Sequence, residues 1–339
     1  MEKLDLSVII LTGNEEIHMR RCLDRICDIA KEVFVIDCFS TDKTLEIARQ
    51  YPDVTILQNK WVNYATQFNW ALDNAPIKTK WVLRLDADEY LTDELKAEMR
   101  EKLPTLEDEY TGIILHLRRV FMGRTIRRGG TGNVTQMRIF QYGKARSEVR
   151  QMDEHIELLE GKPIEFNGEW ADDNLNNISW WTQKHVGYAI REAVDLLDIE
   201  YDLTGSATSD KGRQITEDAK AKRAKKHSYA KKPLFWRSFL YFCYRYIFRL
   251  GFLEGKEGFM WHFFQGWWYR SLVDAKVWEV KKACGDDKEK MIAYLKDNYR
   301  IEIKPRRNNL GGGVLTVESL KCRVESMGCA LLNYRRVAA

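Results

Sequence analysis

Three short clusters hold the side chains of this sequence whose types and spacing could do chemistry. Asp86-Ala87-Asp88 lies inside an apolar run that begins at Trp81. On an extended strand end, residues two apart project to the same side, so both carboxylates can face one ligand. Two hard oxygen donors suit Mg²⁺ or Mn²⁺, ions that keep waters and take substrate phosphates as further ligands. The same triplet also suits a solvated acidic turn ahead of a helix at Asp93. Asp37 and Asp42 flank Cys38, Phe39, Ser40 and Thr41. A carboxylate there can accept a hydrogen bond from a ribose hydroxyl or a base N–H. Ser40 or Asp42 can equally cap the helix that follows, a role that suits Asp37 poorly because it lies on the strand side of the turn. The third cluster is Thr12-Gly13-Asn14-Glu15, where the glycine permits close backbone approach and Glu15 could bond a ribose or base.

The elements that must position these clusters follow from apolar periodicity. Residues 6–11, 32–37, 53–57 and 80–85 are short, largely apolar, β-branched runs of the kind found in buried parallel strands. Helical spacing covers 18–29 and 64–74, and residues 40–44 lead into a further helix that runs to about residue 50. Strand and helix alternate in units of roughly 25–30 residues, which implies an α/β, doubly wound, mainly parallel sheet with helices on both faces. Ligands of such sheets bind outside the carboxyl ends of the strands, and all three polar clusters fall at that edge. From residue 112 the pattern changes to strands at 113–117 and 136–140 around a basic, glycine-containing loop at 124–132. This region reads as an addition that closes over one end of the sheet.

Together the clusters resemble the inverting, GT-A-fold glycosyltransferase family 2. Its opening Thr-x-Asn-Glu is matched by Thr12 to Glu15. Its second motif is matched by Ile36, Asp37, Ser40, Asp42 and Thr44, and its third by Trp81 to Glu89. The order and spacing of all three agree. One departure is Cys38, where many members carry a second acid that touches the nucleotide base. The resemblance implies a nucleotide-sugar donor contacted by Thr12, Asn14, Glu15, Asp37, Ser40, Asp42 and Asp86. It also implies a Mg²⁺ or Mn²⁺ ion on Asp86 and Asp88. Residues 151–156 and 180–188 are similar to a bacterial subgroup that builds lipopolysaccharide core, O-antigen or capsule sugars. Inversion needs a base to take the acceptor hydroxyl's proton. The family's usual acid at that place aligns with Glu154 and, second, with Asp153. His155 is either a third metal ligand, an imidazole near the diphosphate, or an ordinary packed or surface histidine. Arg127 and Arg128 could clamp phosphate, or form a solvated turn.

Composition sets outer limits. The chain has 339 residues, 45% of them hydrophobic and 31% charged, as in soluble globular proteins. A net charge of +4 is too slight to argue for nucleic acid, and none is expected as a partner. Seven cysteines form no CxxC pair, which favours reduced thiols in a cytoplasm. No signal peptide is expected, and no run reaches the about 18 uninterrupted apolar residues a spanning helix needs. Between residues 235 and 269, however, 16 of 35 residues are aromatic. A helix over 233–250 would gather Arg237, Tyr241, Arg245 and Arg249 in one arc and leave a wide aromatic face. A second amphipathic helix is expected over 258–276. Residues 211–232 carry nine Lys or Arg against two acids, enough to attract anionic lipid at about 1 kcal/mol per charge near the surface. Such helices suit a lipid interface; packing on the catalytic domain or on a second copy in a homodimer is the alternative.

The expected organisation is a catalytic domain over 1–205, with a nucleotide-sugar half to about 110 and an acceptor half over 111–205. A basic linker over 206–232, a membrane-associated helical region over 233–300 and a tail over 301–339 follow. The expected activity is metal-dependent, inverting sugar transfer from a nucleotide-sugar to a lipid-linked glycan acceptor. Its expected place is the cytoplasmic face of the inner membrane, peripheral or monotopic. Two other classes remain open. A sugar-phosphate nucleotidyltransferase is disfavoured because that class has a glycine-rich basic loop after strand one. A catalytically dead membrane-docking scaffold is disfavoured by the retained acids.

Overall fold

The computed structural model describes residues 2–132, 134–148, 155–204, 228–303 and 316–317. They form two compact units, residues 1–176 with 249–259, and residues 177–248 with 260–339.

The first unit is built on one mixed sheet. Its leading strands are β1 (Leu4–Thr12), β2 (Ala30–Asp37), β3 (Val54–Gln58), β4 (Trp81–Asp86) and β5 (Glu89–Leu91). After them come β6 (Tyr110–Phe121), β7 (Arg124–Thr125), β8 (Thr135–Gln141) and β11 (Lys162–Asp173), with a small separate pair, β9 (Ala145–Ser147) and β10 (Ile156–Leu158). The order across the sheet is β3-β2-β1-β4-β8-β6-β11-β5, with β7 on β6. β1 runs parallel to β2 and β4, and β2 parallel to β3.

Strict alternation along these strands feeds two cores on opposite faces. Leu6, Val8 and Ile10 of β1 pack with Met19, Cys22, Leu23 and Ile26 of α1 (Glu16–Ile26). Ile9 and Leu11 pack instead with Phe68, Ala71 and Leu72 of α3 (Tyr64–Asn74). On β4, Leu83 and Leu85 join the α1 side while Val82 joins the α3 side. A strand apolar at every position is thereby explained, since both of its faces are covered. Between these helices in the chain comes α2 (Thr44–Ala48), which begins at the end of the 40–44 segment and stops two residues short of the expected end near residue 50. α4 (Asp93–Lys102) is capped by Thr92, whose side chain accepts from the Leu95 N–H.

The β region after residue 112 is not a separate cover. β8 lies antiparallel between β4 and β6, with Leu83 opposite Ile139 and Val82 opposite Phe140. Ile139 and Phe140 then enter opposite cores, so β8 is buried on both faces where it pairs with β4. The expected acceptor half is thus continuous with the nucleotide half through hydrogen-bonded strands.

The second unit is helical. α5 (Ile178–Tyr201) starts at Asn177, whose side chain accepts from the Trp180 N–H. Ala189, Ala193, Val194 and Leu197 of α5 are buried with Val273, Val277 and Val280 of α8 (Tyr269–Cys284). Met291 and Leu295 of α9 (Lys288–Tyr299) close the same core. Because α5 buries its apolar stripe here, the boundary falls at residue 176 and not at 205. Residues 249–259 return to the first unit for a polar reason. The buried Glu254 carboxylate accepts from the Arg127 and Arg128 backbone N–H groups at 2.9 and 2.7 Å.

The expected 233–250 helix is α6 (Trp236–Cys243) continued by a π-helical turn, Tyr244–Phe248. A short α7 (Gly255–Trp261) passes into a second π segment, His262–Trp268, before α8. Of the expected arginine arc, Arg237 and Arg245 lie on the inner side of α6 and its π turn, while Arg249 is exposed and belongs to the first unit. Arg237 is buried and donates to Asp274 Oδ1 through Nε at 2.8 Å. Arg245 is also buried and donates to Gln265 Oε1 at 3.0 Å. Trp236, Leu240, Tyr244, Ile247 and Phe248 face outward and are exposed. No helix among the described residues is long and apolar enough to cross a membrane. Residues 205–227, with most of the basic stretch, and most of the tail lie outside the described residues.

His262 is buried, and neither ring nitrogen has a hydrogen-bond partner. Burial, reinforced by the Arg245 charge, lowers its pKa to about 4. The imidazole is therefore buried neutral and must take up a proton on unfolding. Its depressed folded pKa contributes stability that is present above the unfolded value and is lost as pH falls from about 6.5 towards 4. We expect His262→Leu to flatten this segment of the stability–pH curve. Urea unfolding of both proteins at a series of pH values measures it, and parallel curves would refute the assignment.

Candidate active site

The turns after β1 and β2 are tied to each other by their own side chains. Asn14 adopts a left-handed backbone (φ 57°), which asparagine tolerates better than most residues. Its N–H donates to Ser40 Oγ at 2.8 Å, and its Oδ1 accepts from the Thr41 N–H at 2.8 Å. Glu15 N–H donates to Thr44 Oγ1 at 2.8 Å, and Glu16 N–H to Asp42 Oδ2 at 3.1 Å. Asp37 is fully buried and accepts from the Ser40 N–H at 3.0 Å, from Ser40 Oγ, and from Gln58 Nε2 at 2.9 Å. It closes the turn from the strand side and does not cap α2, whose first N–H, that of Thr44, donates to Asp42 Oδ1 at 2.9 Å. A Cβ on Gly13 would come within 2.3 Å of Cys38 Sγ. The glycine therefore lets the two turns touch, with Cys38 filling the space beside it.

His18, also buried, extends this cluster. Its Nε2 accepts from the Leu175 N–H at 2.9 Å, so the ring proton resides on Nδ1 and faces Glu15 Oε2 at 2.6 Å.

The acidic triplet is held by the residue after it. The buried Glu89 carboxylate accepts from the Asp86 N–H at 2.9 Å and from Trp170 Nε1 at 2.9 Å. Arg138, on β8, donates two further bonds to it, at 2.8 and 3.2 Å, and lies over the Trp170 ring at 4.7 Å. Burial, with Asp86, Asp172 and Asp88 nearby, raises the Glu89 pKa, and the Arg138 charge opposes this. Asp88 sits apart from that knot. Its Oδ2 accepts from Asn174 Nδ2 at 2.9 Å. Its carbonyl accepts from the Asp173 N–H at 3.1 Å and from Arg21 Nη2 at 3.2 Å.

Beside the triplet lies a cavity of about 260 Å³, lined in part by Tyr64, Arg84, Asp86, Gln136 and His155. It is below the roughly 300–1,000 Å³ of pockets for larger ligands, so it suits a part of a substrate such as a sugar. Asp86 Oδ1 is buried and accepts no hydrogen bond. A carboxylate oxygen left so fits a hard divalent cation; β4 ends at Asp86, so Asp88 lies in the turn that follows and does not continue the strand face as expected. His155 shares the cavity with Asp86. Among the described residues, however, no group of three His, Cys, Asp or Glu is placed to hold a metal. Two carboxylates with substrate phosphates and water would have to suffice.

Arg84 is a further group that the protein leaves partly unsatisfied. It is only 8% exposed, and its Nε has no partner. Its guanidinium lies over the Phe68 ring, at 5.4 Å. Taking a guanidinium out of water costs several kcal/mol, while a cation–π contact contributes about 2 kcal/mol at most when desolvated.

Residues 7–156, which span β1 to the Asp86 cavity, match the sequence profile of Glycosyl transferase family 2. That match covers less than half of the chain. The sheet is GT-A-like. A glycosyltransferase of Rickettsia bellii is 36% identical over 94 residues, 28% of this chain and 31% of the relative. The lipopolysaccharide core biosynthesis glycosyltransferase LpsC of Rhizobium meliloti is 28% identical over 153 residues, 44% of this chain and 55% of LpsC. The matches therefore span about a third to a half of these relatives. S. aureus TarS 1–349 superposes over 93% of this chain and 99% of its own with a TM-score of 0.40 and 16% identity.

Within the matched stretch, the structure brings Asp86 and His155 to one cavity and gathers Asn14, Glu15, Ser40 and Asp42 at one corner. Thr12 is buried beside that corner, its hydroxyl without a partner. Asp153 and Glu154 lie outside the described residues. The basic loop is spent internally: Arg127 pairs with Glu169 at 3.0 Å. Arg84, Arg138, Gln136, Tyr64 and His18 were not read as site residues. Arg84 alone left a signal in the sequence, a charge in the middle of an apolar strand.

Arg138→Met would strand the Glu89 carboxylate in the interior. We expect a loss of about 3–5 kcal/mol, the range for breaking a buried ion pair, and most of it should return in Glu89→Gln/Arg138→Met. Chemical denaturation of the two single variants and the double variant measures the coupling. Additive losses would show the pair to be uncoupled.

Proposed function

We propose that this chain is an inverting glycosyltransferase that moves a sugar from a nucleotide-sugar donor to a glycan acceptor. The observation that carries this reading is the buried, unpartnered Asp86 oxygen. It stands beside a polar cavity at the carboxyl end of a parallel strand, inside the stretch that matches family 2. In this reading the turns around Thr12, Asn14, Glu15, Asp37, Ser40 and Asp42 form the nucleotide's seat. Their mutual hydrogen bonds hold it in one shape before substrate arrives. Asp86 and Asp88 would hold Mg²⁺ or Mn²⁺, which when bound supplies charge neutralisation at the departing diphosphate.

Glu154, or Asp153 beside it, takes the proton of the acceptor hydroxyl. The hydroxyl oxygen forms its bond to the anomeric carbon as the carbon–oxygen bond to the diphosphate breaks on the opposite face. The proton thus leaves on the acceptor side, while the negative charge of the leaving group develops near Asp86 and Asp88. The two jobs need separate acids.

We further propose a lipid-linked acceptor of the lipopolysaccharide core, O-antigen or capsule type, used at the cytoplasmic face of the inner membrane. The exposed stripe Trp236, Leu240, Tyr244, Ile247 and Phe248 supports docking on lipid. With Arg237 and Arg245 committed inside the helical unit, apolar area on α6 and its π turn, more than their charge, would carry that contact.

Purified protein should hydrolyse or transfer from at least one of a panel of UDP-, GDP-, ADP- and dTDP-sugars with Mn²⁺. Asp88→Ala should lose metal-dependent donor binding, whereas Glu154→Gln should keep binding and lose transfer by ~100-fold or more, as for removal of a general base. Calorimetry and product assays separate the two. Normal transfer by Glu154→Gln would move the base elsewhere. Flotation with anionic liposomes should fall on replacing Trp236 and Leu240 together by Glu; unchanged flotation would remove α6 from the lipid contact.

A further inference from the structure

Arg84 and Asp86 lie two apart on β4, share one face and line the same cavity, yet no ion pair joins them. Every other buried arginine described above has an acceptor. Arg138 has Glu89, Arg237 has Asp274, and Arg245 has Gln265. Among the described residues Arg84 has no hydrogen bond or ion pair, and its guanidinium lies over the Phe68 ring. A strand interior is a poor place for a cation without a counter-charge, and the sequence around it, Leu83 and Leu85, is wholly apolar. The charge is therefore built to meet something that enters the cavity.

We infer that Arg84 receives an anionic oxygen group of the substrate, a phosphate or a carboxylate, on the floor of the Asp86 cavity. This rests on reading that cavity as the transfer site. Several features set the ligand class. The guanidinium is planar and suits a two-oxygen acceptor. Tyr64 and Gln136 on the cavity wall suit hydroxyl-rich partners, and the volume is that of a sugar-sized group and not of a whole nucleotide-sugar. The anion is thus either a diphosphate oxygen reaching in from the donor or an acidic substituent on a bound sugar. In both cases Arg84 acts as a binding and specificity residue. It discriminates through a charge that would otherwise be stranded, so a neutral analogue is rejected by the cost of leaving Arg84 unpaired.

The test compares the full chain with Arg84→Gln by thermal unfolding and calorimetry, titrating inorganic pyrophosphate, glucuronate and the neutral sugar glucose. Without ligand, Arg84→Gln should unfold at the same or a higher temperature, since a buried unpaired charge has been removed. The wild type should be stabilised by one of the anions and not by glucose. The variant should bind that anion at least ~10-fold more weakly, the least expected when one partner of a buried charge pair is truncated. A response to pyrophosphate alone assigns the anion to the donor diphosphate. A response to glucuronate alone assigns it to an acidic sugar. Should Arg84→Gln fail to fold, Arg84→Lys reads the same titration, because it keeps the charge and loses the planar fork. Equal anion affinity in wild type and variant, or no anion response in the wild type, overturns the inference. Neither measurement needs turnover, so an enzyme that transfers sugar normally with Arg84→Gln refutes this role while leaving the proposed function standing.

Discussion

The Glu89 carboxylate is the point on which the geometry around the acidic triplet depends. It takes the N–H of Asp86, the indole N–H of Trp170 and two bonds from Arg138. Those donors come from the end of β4, from β11 and from β8. A single buried charge thus fixes where the chain turns after β4, and hence where Asp86 and Asp88 project. Such a group is tolerable only because all four contacts are made; with one missing, the desolvation of the carboxylate would be uncompensated. The antiparallel insertion of β8 beside β4 matters for this reason, since it delivers Arg138 to Glu89.

Around this knot, polar groups divide into those satisfied by the protein and those left for a ligand. Asn14, Asp37, Ser40, Asp42 and Thr44 bond one another, and Glu15 is engaged by His18. These turns hold their shape without substrate, which is what a preorganised seat requires. Asp86 Oδ1 and Arg84 are not satisfied in this way. One is an anion and one a cation, two residues apart on a single strand face, and they mark the part of the site where folding has left free energy to be recovered on binding.

The helical unit shows the same reasoning inverted. α6 turns its arginines inward to Asp274 and Gln265 and its large apolar side chains outward. Ordinary amphipathic helices of globular proteins do the reverse. The two π-helical segments, Tyr244–Phe248 and His262–Trp268, widen the turns where Arg245 and His262 are buried. A contiguous apolar stripe of this size is a feature of interaction surfaces.

Much of this was determined by the sequence alone. Alternating apolar runs predict strands and helices from β1 to β4 because each strand buries both faces, and α3 falls on the expected residues, 64 to 74. The motif order around Asn14, Asp37 and Asp86 likewise predicts that these residues meet at one sheet edge, because parallel strands bring their carboxyl ends together. Only the tertiary structure decided what each polar residue does there. Asp37 and Glu15 prove to be engaged by Ser40, Gln58 and His18, and Arg84 proves to have no such partner among the described residues, because hydrogen-bond partners are set by contacts between residues far apart in the chain. For the same reason the arginine arc of α6 could be read as an arc but not assigned a side. Its inward orientation depends on Asp274, more than thirty residues away, and on the free-energy cost of burying a guanidinium without a counter-charge. The opening triplet was legible as a pair of carboxylates; that Glu89 and Arg138 hold it in place was visible only once β8 and β11 had joined the sheet.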